Sequence, residues 1–70
     1  MTTLAHDVTA TLTGRMAELG LSTRDVAERA DRHTILVAHW LRDGYDLTLW
    51  NLEALAAQLG CRVVVRLEPL

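Results

Sequence analysis

The sequence predicts a mainly helical domain of four helices followed by a single β-strand. Apolar residues recur at helical spacing through most of the 70 residues, and Gly20, Gly44 and Gly60 divide this pattern into segments. After Gly60 the period changes to two, with Cys61, Val63, Val65 and Leu67 alternating with Arg62, Val64, Arg66 and Glu68, which is typical of a half-buried strand. We therefore predict a helical domain over residues 1–60 and a C-terminal strand over residues 61–70.

The first helix is predicted over residues 3–19. Its apolar residues fall on one stripe, which consists of Val8, Leu12, Met16 and Leu19. Several threonines lower the intrinsic helix propensity of this segment. We expect the helix to depend on packing against the rest of the domain.

The second helix, residues 23–30, has the clearest local start signal. Ser22 is suited to cap its N-terminus, and Asp25 stands where a capping box places an acid. Leu21 and Val26 have the spacing of a hydrophobic staple. The residues predicted to face inward are Val26, Ala27 and Ala30.

The third helix is predicted after a short polar interruption. Asp31 and Thr34 are both suited to cap it, so its start is open by one turn. Its predicted apolar face consists of Val37, Trp40 and Leu41.

The fourth helix repeats the start signal of the second. Thr48 is the predicted cap, Leu47 the staple partner of Leu52, and Gly60 the stop. The residues at core spacing are Leu52, Leu55, Ala56 and Leu59.

The C-terminal segment 61–70 is the predicted strand. A single strand leaves its backbone donors and acceptors unpaired, so we expect it to form an antiparallel ribbon with the same strand of a second copy. The alternative is an irregular tail lying along its own helices. The predicted dimer interface consists of Cys61, Arg62, Val63, Val64, Val65, Arg66 and Leu67.

Composition excludes several classes of protein. Cys61 is the one cysteine, so the chain has no internal disulfide and too few cysteines for an ordinary zinc site. Nine carboxylates outweigh seven arginines, which argues against a protein that coats nucleic acid by bulk charge but allows a local binding face. The sequence has no recognisable catalytic arrangement, so we expect no enzyme activity and no cofactor. It also has no signal peptide or membrane-length apolar stretch, so we expect a cytoplasmic protein without a membrane partner.

The second and third predicted helices are short and joined by a tight turn, and Ala27 and Ala30 stand where the two would cross. This arrangement is typical of a helix-turn-helix. The chain resembles the Cro/repressor-type (XRE-like) helix-turn-helix family, especially its short members with a terminal strand. The resemblance covers residues 15–69. Its matching segments are residues 21–30, then Val37 and Trp40, then residues 47–63.

The resemblance implies a sequence-specific, DNA-binding transcriptional regulator of the Cro-like or phage-repressor type. A homodimer would bind a pseudo-palindromic operator in double-stranded DNA through the third helix, and would be nucleoid-associated. Ser22, Thr23 and Arg24 would contact phosphate at the start of the second helix. The groove-facing residues would be Arg32, His33, Thr34, Ile35, Ala38 and His39, and those facing the flanking backbone would be Arg42, Tyr45, Trp50 and Asn51.

Thr34 and His39 have side chains suited to hydrogen-bond base edges, and Ile35 and Ala38 are suited to contact thymine methyl groups. The chain departs from the family at acidic positions. Asp31 and Asp43 stand at customary glycine positions, and Asp46 stands where basic or polar residues are common. We therefore expect modest affinity per subunit.

Other interpretations of these residues remain. Trp40 is expected in the core, Cys61 is expected to be a buried apolar side chain, and Trp50 is as suited to packing as to DNA contact. His33 and His39 lack the spacing of two metal ligands on one helical face, so no metal site is predicted. The alternative functions are an antitoxin of a toxin–antitoxin operon and an interaction module that has the same fold but has lost DNA binding. A toxin or an antirepressor is the possible protein partner.

Overall fold

Four α-helices make up most of the chain in the computed structural model, which describes residues 3–70. Helix α1 spans Leu4–Leu19, α2 spans Thr23–Ala30, α3 spans Thr34–Asp43 and α4 spans Leu49–Gln58. The predicted mainly helical fold of four helices is confirmed. None of these helices is long and apolar enough to cross a membrane within the described residues.

Hydroxyl side chains cap three of the four helices. The Oγ atom of Ser22 accepts from the backbone N–H of Asp25 at 3.1 Å, and the Asp25 carboxylate accepts from the N–H of Ser22 at 2.9 Å. Thr48 caps α4 by accepting from the N–H of Asn51 at 3.1 Å, and Thr3 caps α1 in the same way. The predicted caps at Ser22 and Thr48 are confirmed.

Neither predicted cap begins α3. Asp31 has left-handed backbone angles (φ 55°, ψ 51°), and its N–H bonds to α2 carbonyls, so it closes α2. Thr34 is already inside α3, and His33 occupies the N-cap position without a side-chain capping bond. The prediction failed because a capping-type residue serves the end of one helix here rather than the start of the next.

Asp31→Gly is expected to raise the free energy of unfolding by about 0.5–1 kcal/mol. Glycine adopts the left-handed conformation freely, and the substitution removes a carboxylate from the negative end of the α2 dipole. Urea denaturation followed by circular dichroism measures the change. Asp31→Asn removes only the charge and isolates the dipole effect; a loss of stability in Asp31→Gly would show that the carboxylate makes a favourable contact.

The core lies where α2 and α3 meet α1 and α4. Helix α1 packs on α3, and α2 packs on both α3 and α4. The predicted inward residues of α2 are all buried, as are Val37, Trp40, Leu55 and Leu59. Leu19 was predicted to share the apolar stripe of α1, but it is exposed because that stripe leaves the core in the last turn before Gly20.

The predicted strand over residues 61–70 is not present in the described chain. This segment has no regular secondary structure, and residues 3–70 contain no other strand with which it could pair. Cys61, predicted to be buried, is exposed. The apolar side chains of Val64, Val65 and Leu67 are also exposed. The segment therefore carries an apolar surface that its own helices leave uncovered.

Candidate nucleic-acid interface

Helices α2 and α3 pack on each other and are joined by a three-residue turn. Residues 31–33 join them, and the N–H of Arg32 bonds to the carbonyl of Ala27 at 2.9 Å, which fixes the direction of the turn. Ala27 is fully buried and Ala30 nearly so. Small side chains thus lie on the side of α2 that packs into the core, as the sequence predicted.

The side of α3 opposite the core is open. Val37 and Trp40 point into the core, whereas Thr34, Ile35 and Ala38 are exposed. The Ile35 side chain is 86% exposed although it is large and apolar. His33, Ile35, Leu36, Ala38, His39 and Arg42 together line a shallow, open surface. We call the exposed surface formed by residues 33–35, 38, 39 and 42 the α3 face.

Arg32 directly precedes this face, and its side chain is hydrogen-bonded within the domain. Its Nε donates to the Oδ1 of Asn51 at 3.0 Å, and its Nη1 donates to the carbonyls of Ala30 and Asp31 at 2.9 and 3.2 Å. Arg32 is half-buried in this arrangement. The guanidinium thereby joins the α2–α3 turn to the first turn of α4, and both predicted DNA contacts, Arg32 and Asn51, have structural partners.

No local sequence pattern indicates this Arg32–Asn51 contact. The two residues are nineteen positions apart, and neither belongs to a local capping pattern that would pair them. A side-chain contact of this kind depends on the packing of α4 against α2, which periodicity alone does not specify.

The start of α2 already holds a negative charge. The reciprocal bonds between Ser22 and Asp25 occupy the Ser22 hydroxyl and two backbone N–H groups. The backbone N–H of Ser22, followed by its hydroxyl, lowers the pKa of the Asp25 carboxyl below its usual value. The carboxylate therefore stands close to where phosphate was predicted to bind Ser22 and Thr23, so a phosphate there would meet like charge.

Basic side chains near the α3 face have local partners. Arg42 donates from Nη2 to the Nδ1 of His39 at 3.2 Å, and its Nε lies 3.8 Å from an Asp43 carboxylate oxygen. Arg24, on α2, is paired with Glu28 at 3.2 Å. These pairs are exposed, so each is worth little and exchanges readily for a phosphate contact.

Aromatic residues flank the face at the loop between α3 and α4. The Tyr45 ring meets the His39 ring edge-on, with centroids 6.3 Å apart. Trp50, in the first turn of α4, is 81% exposed, so it does not pack into the core. Asp46 in the same loop has a positive φ of 66°. The region beside α3 thus combines exposed aromatic and acidic side chains.

The predicted site residues fall into separate groups. His33, Thr34, Ile35, Ala38, His39 and Arg42 belong to one helix surface, with Tyr45 against it. Ser22, Thr23 and Arg24 lie at the other end of α2 from the turn, and residues 61–67 belong to the C-terminal segment. Residues 3–70 contain no group of three His, Cys, Asp or Glu side chains placed to hold a metal ion.

Comparisons with protein-family models, curated proteins and solved structures found no match to this chain. The fold and the α3 face define the chain as a small four-helix domain with an exposed helix surface.

Proposed function

We propose that the chain is a sequence-specific DNA-binding transcriptional regulator that inserts α3 into the major groove. The observation that carries this is the exposed surface of α3, opposite its buried residues, at the end of a tight helix–turn–helix connection. An α-helix fits the major groove, and Thr34 and His39 supply hydrogen-bonding groups for base edges. Ile35 and Ala38 supply methyl-sized apolar contacts to thymine.

Phosphate contacts come from a small set of exposed arginines. Arg42 borders the α3 face, and Arg24 projects from α2. Asp43 and Asp46 oppose phosphate in the same region, which keeps the electrostatic contribution per subunit low. Two subunits on one operator are therefore needed for tight binding.

The second part of the proposal is a homodimer formed by residues 61–70. An extended segment would place Cys61, Val63, Val65 and Leu67 on one side, and the described residues contain no strand with which it could pair. Antiparallel pairing with a second copy satisfies its backbone groups and covers its apolar side. Such a dimer suits a pseudo-palindromic operator if its two α3 helices are spaced by about 34 Å.

A gel-shift titration with DNA from around the chain's own gene, at two salt concentrations, tests DNA binding. We expect specific binding whose affinity falls steeply as salt rises. Thr34→Ala and His39→Ala should weaken specific binding by about fivefold or more, since a good base contact contributes about 1–3 kcal/mol. Thr13→Ala, at an exposed threonine of α1 that lies outside both the α3 face and the C-terminal segment, is the matched control and should leave binding unchanged.

Two outcomes contradict this proposal. Absence of binding below tens of micromolar would exclude DNA as the target. Equal loss of specific and non-specific binding in Thr34→Ala and His39→Ala would remove both residues from the base contacts.

A second candidate function is protein binding through the same helix, as in an antitoxin or an interaction module. The exposure of Ile35, Leu36 and Trp50 favours it, because a protein partner buries apolar side chains. Binding of a partner protein that survives high salt and is lost in Ile35→Asp, together with a negative gel shift, would favour this function.

A further inference from the structure

An apolar cleft lies between α1, α4 and the start of the C-terminal segment. Its floor is formed by the core residues Leu12, Ala56 and Leu59, and its volume is about 340 Å³. Leu4 and Val8 form the α1 wall, at a spacing that puts both on one side of the helix. The cleft therefore reaches residues of the buried core.

The chain's own C-terminal segment borders the cleft without closing it. Val63 and Val64 line one edge, and Val64 remains largely exposed. Farther along, Val65 and Leu67 leave the cleft altogether, and Leu67 is 93% exposed. One chain thus carries an open apolar cleft and, next to it, an uncovered apolar strip formed by Val64, Val65 and Leu67.

We propose that each cleft receives residues 64–67 of a second copy, so that two chains exchange their C-terminal segments reciprocally. This inference rests on the dimer included in the proposed function and specifies where each segment lies. The cleft and the strip are continuous on one surface, which is what a two-fold symmetric interface requires, because each copy supplies both halves of the contact.

The charges at the rim are balanced and do not select an occupant. Asp7 and Arg62 of the same chain both line the cleft, and Arg15 there is paired with Glu18 at 3.1 Å. In the incoming segment, Arg66 is paired with Glu68. The occupant is therefore indicated by the apolar match between the cleft and the uncovered side chains of Val65 and Leu67.

Sedimentation velocity of the full chain from 1 to 200 micromolar tests the exchange. The wild-type chain is expected to dimerise, and Leu4→Asp and Val65→Asp should each raise the dissociation constant at least tenfold. Leu49→Asp is the matched control. Leu4 and Leu49 are each the first residue of a helix after a threonine cap, and both are largely exposed, but Leu49 lies away from the cleft. Leu49→Asp should dimerise like the wild type.

A mixture of the two weakened variants separates exchange from simple strand pairing. In a mixed dimer the unaltered segment of Leu4→Asp meets the unaltered cleft of Val65→Asp, so one of the two contacts is intact. The mixture should therefore associate more tightly than either variant alone.

Three results would overturn the exchange. The first is that Leu4→Asp dimerises like the wild type while Val65→Asp does not. The second is that the mixture associates no better than the separate variants, and the third is that the wild type stays monomeric at 200 micromolar. Each result is read by sedimentation without DNA, so it leaves the proposal for α3 to be judged by the gel shift alone.

Discussion

Trp40→Ala is expected to lower the free energy of unfolding by about 3–5 kcal/mol, the range for truncating a large buried aromatic side chain. Trp40 is only 3% exposed and belongs to the core cluster together with Val26, Val37 and Leu55. A domain of this length has a total stability of about 4–10 kcal/mol, so the substitution removes a large share of it. Urea denaturation followed by circular dichroism gives the loss directly.

The chain contains its own control, because its other tryptophan lies at the surface. Trp50 is 81% exposed, so Trp50→Ala should change stability by less than about 0.5 kcal/mol. If Trp40→Ala fails to fold, Trp40→Leu retains most of the apolar volume and gives a smaller, measurable loss. Similar losses for Trp40→Ala and Trp50→Ala would contradict the position of Trp40 in the core.

Local signals predicted most of the helical fold. The capping box at Ser22 and Asp25 and the threonine cap at Thr48 act within four residues, so the sequence alone locates the starts of α2 and α4. The helical spacing of apolar residues likewise predicted that Val37 and Leu55 are buried, and both are.

The sequence-based expectations failed where a residue's partner is distant or on another chain. Arg32 is held by Asn51, nineteen positions away, and the spacing gave no indication of that bond. The strand over 61–70 was predicted from alternation, which reports a preference for half-burial but does not supply a second strand. The apolar cleft depends on the gap between α1 and α4, which no single segment encodes.

The exposure of the α3 face was predicted more completely than the contacts around it. The resemblance indicated which side of the third helix would be exposed, and Ile35 and Ala38 are exposed there. It did not indicate that Asp25 occupies the start of α2 or that Arg42 bonds His39, because both contacts depend on residues particular to this chain.

Gly44→Ala is expected to destabilise the domain by about 2–5 kcal/mol, through two separate costs. Gly44 ends α3 with a φ of 75°, a conformation that costs an L-residue about 1–2 kcal/mol. An added Cβ would also lie 3.0 Å from the Ala5 Cβ and 3.1 Å from the Ala5 carbonyl oxygen. Backbone of α1 cannot rotate away as a flexible side chain would, so relief requires α1 to shift, at a cost of about 1–3 kcal/mol.

Gly20→Ala separates the two costs. Gly20 also ends a helix with a positive φ, 69°, but a Cβ there would meet nothing within 4 Å. Its loss in urea denaturation therefore measures the backbone conformation alone, about 1 kcal/mol after the smaller entropy of the unfolded chain is included. The excess loss in Gly44→Ala measures the contact between α1 and the end of α3. Equal losses in the two variants would mean that α1 accommodates the methyl group freely, and that its first turn is not held against α3 by close packing.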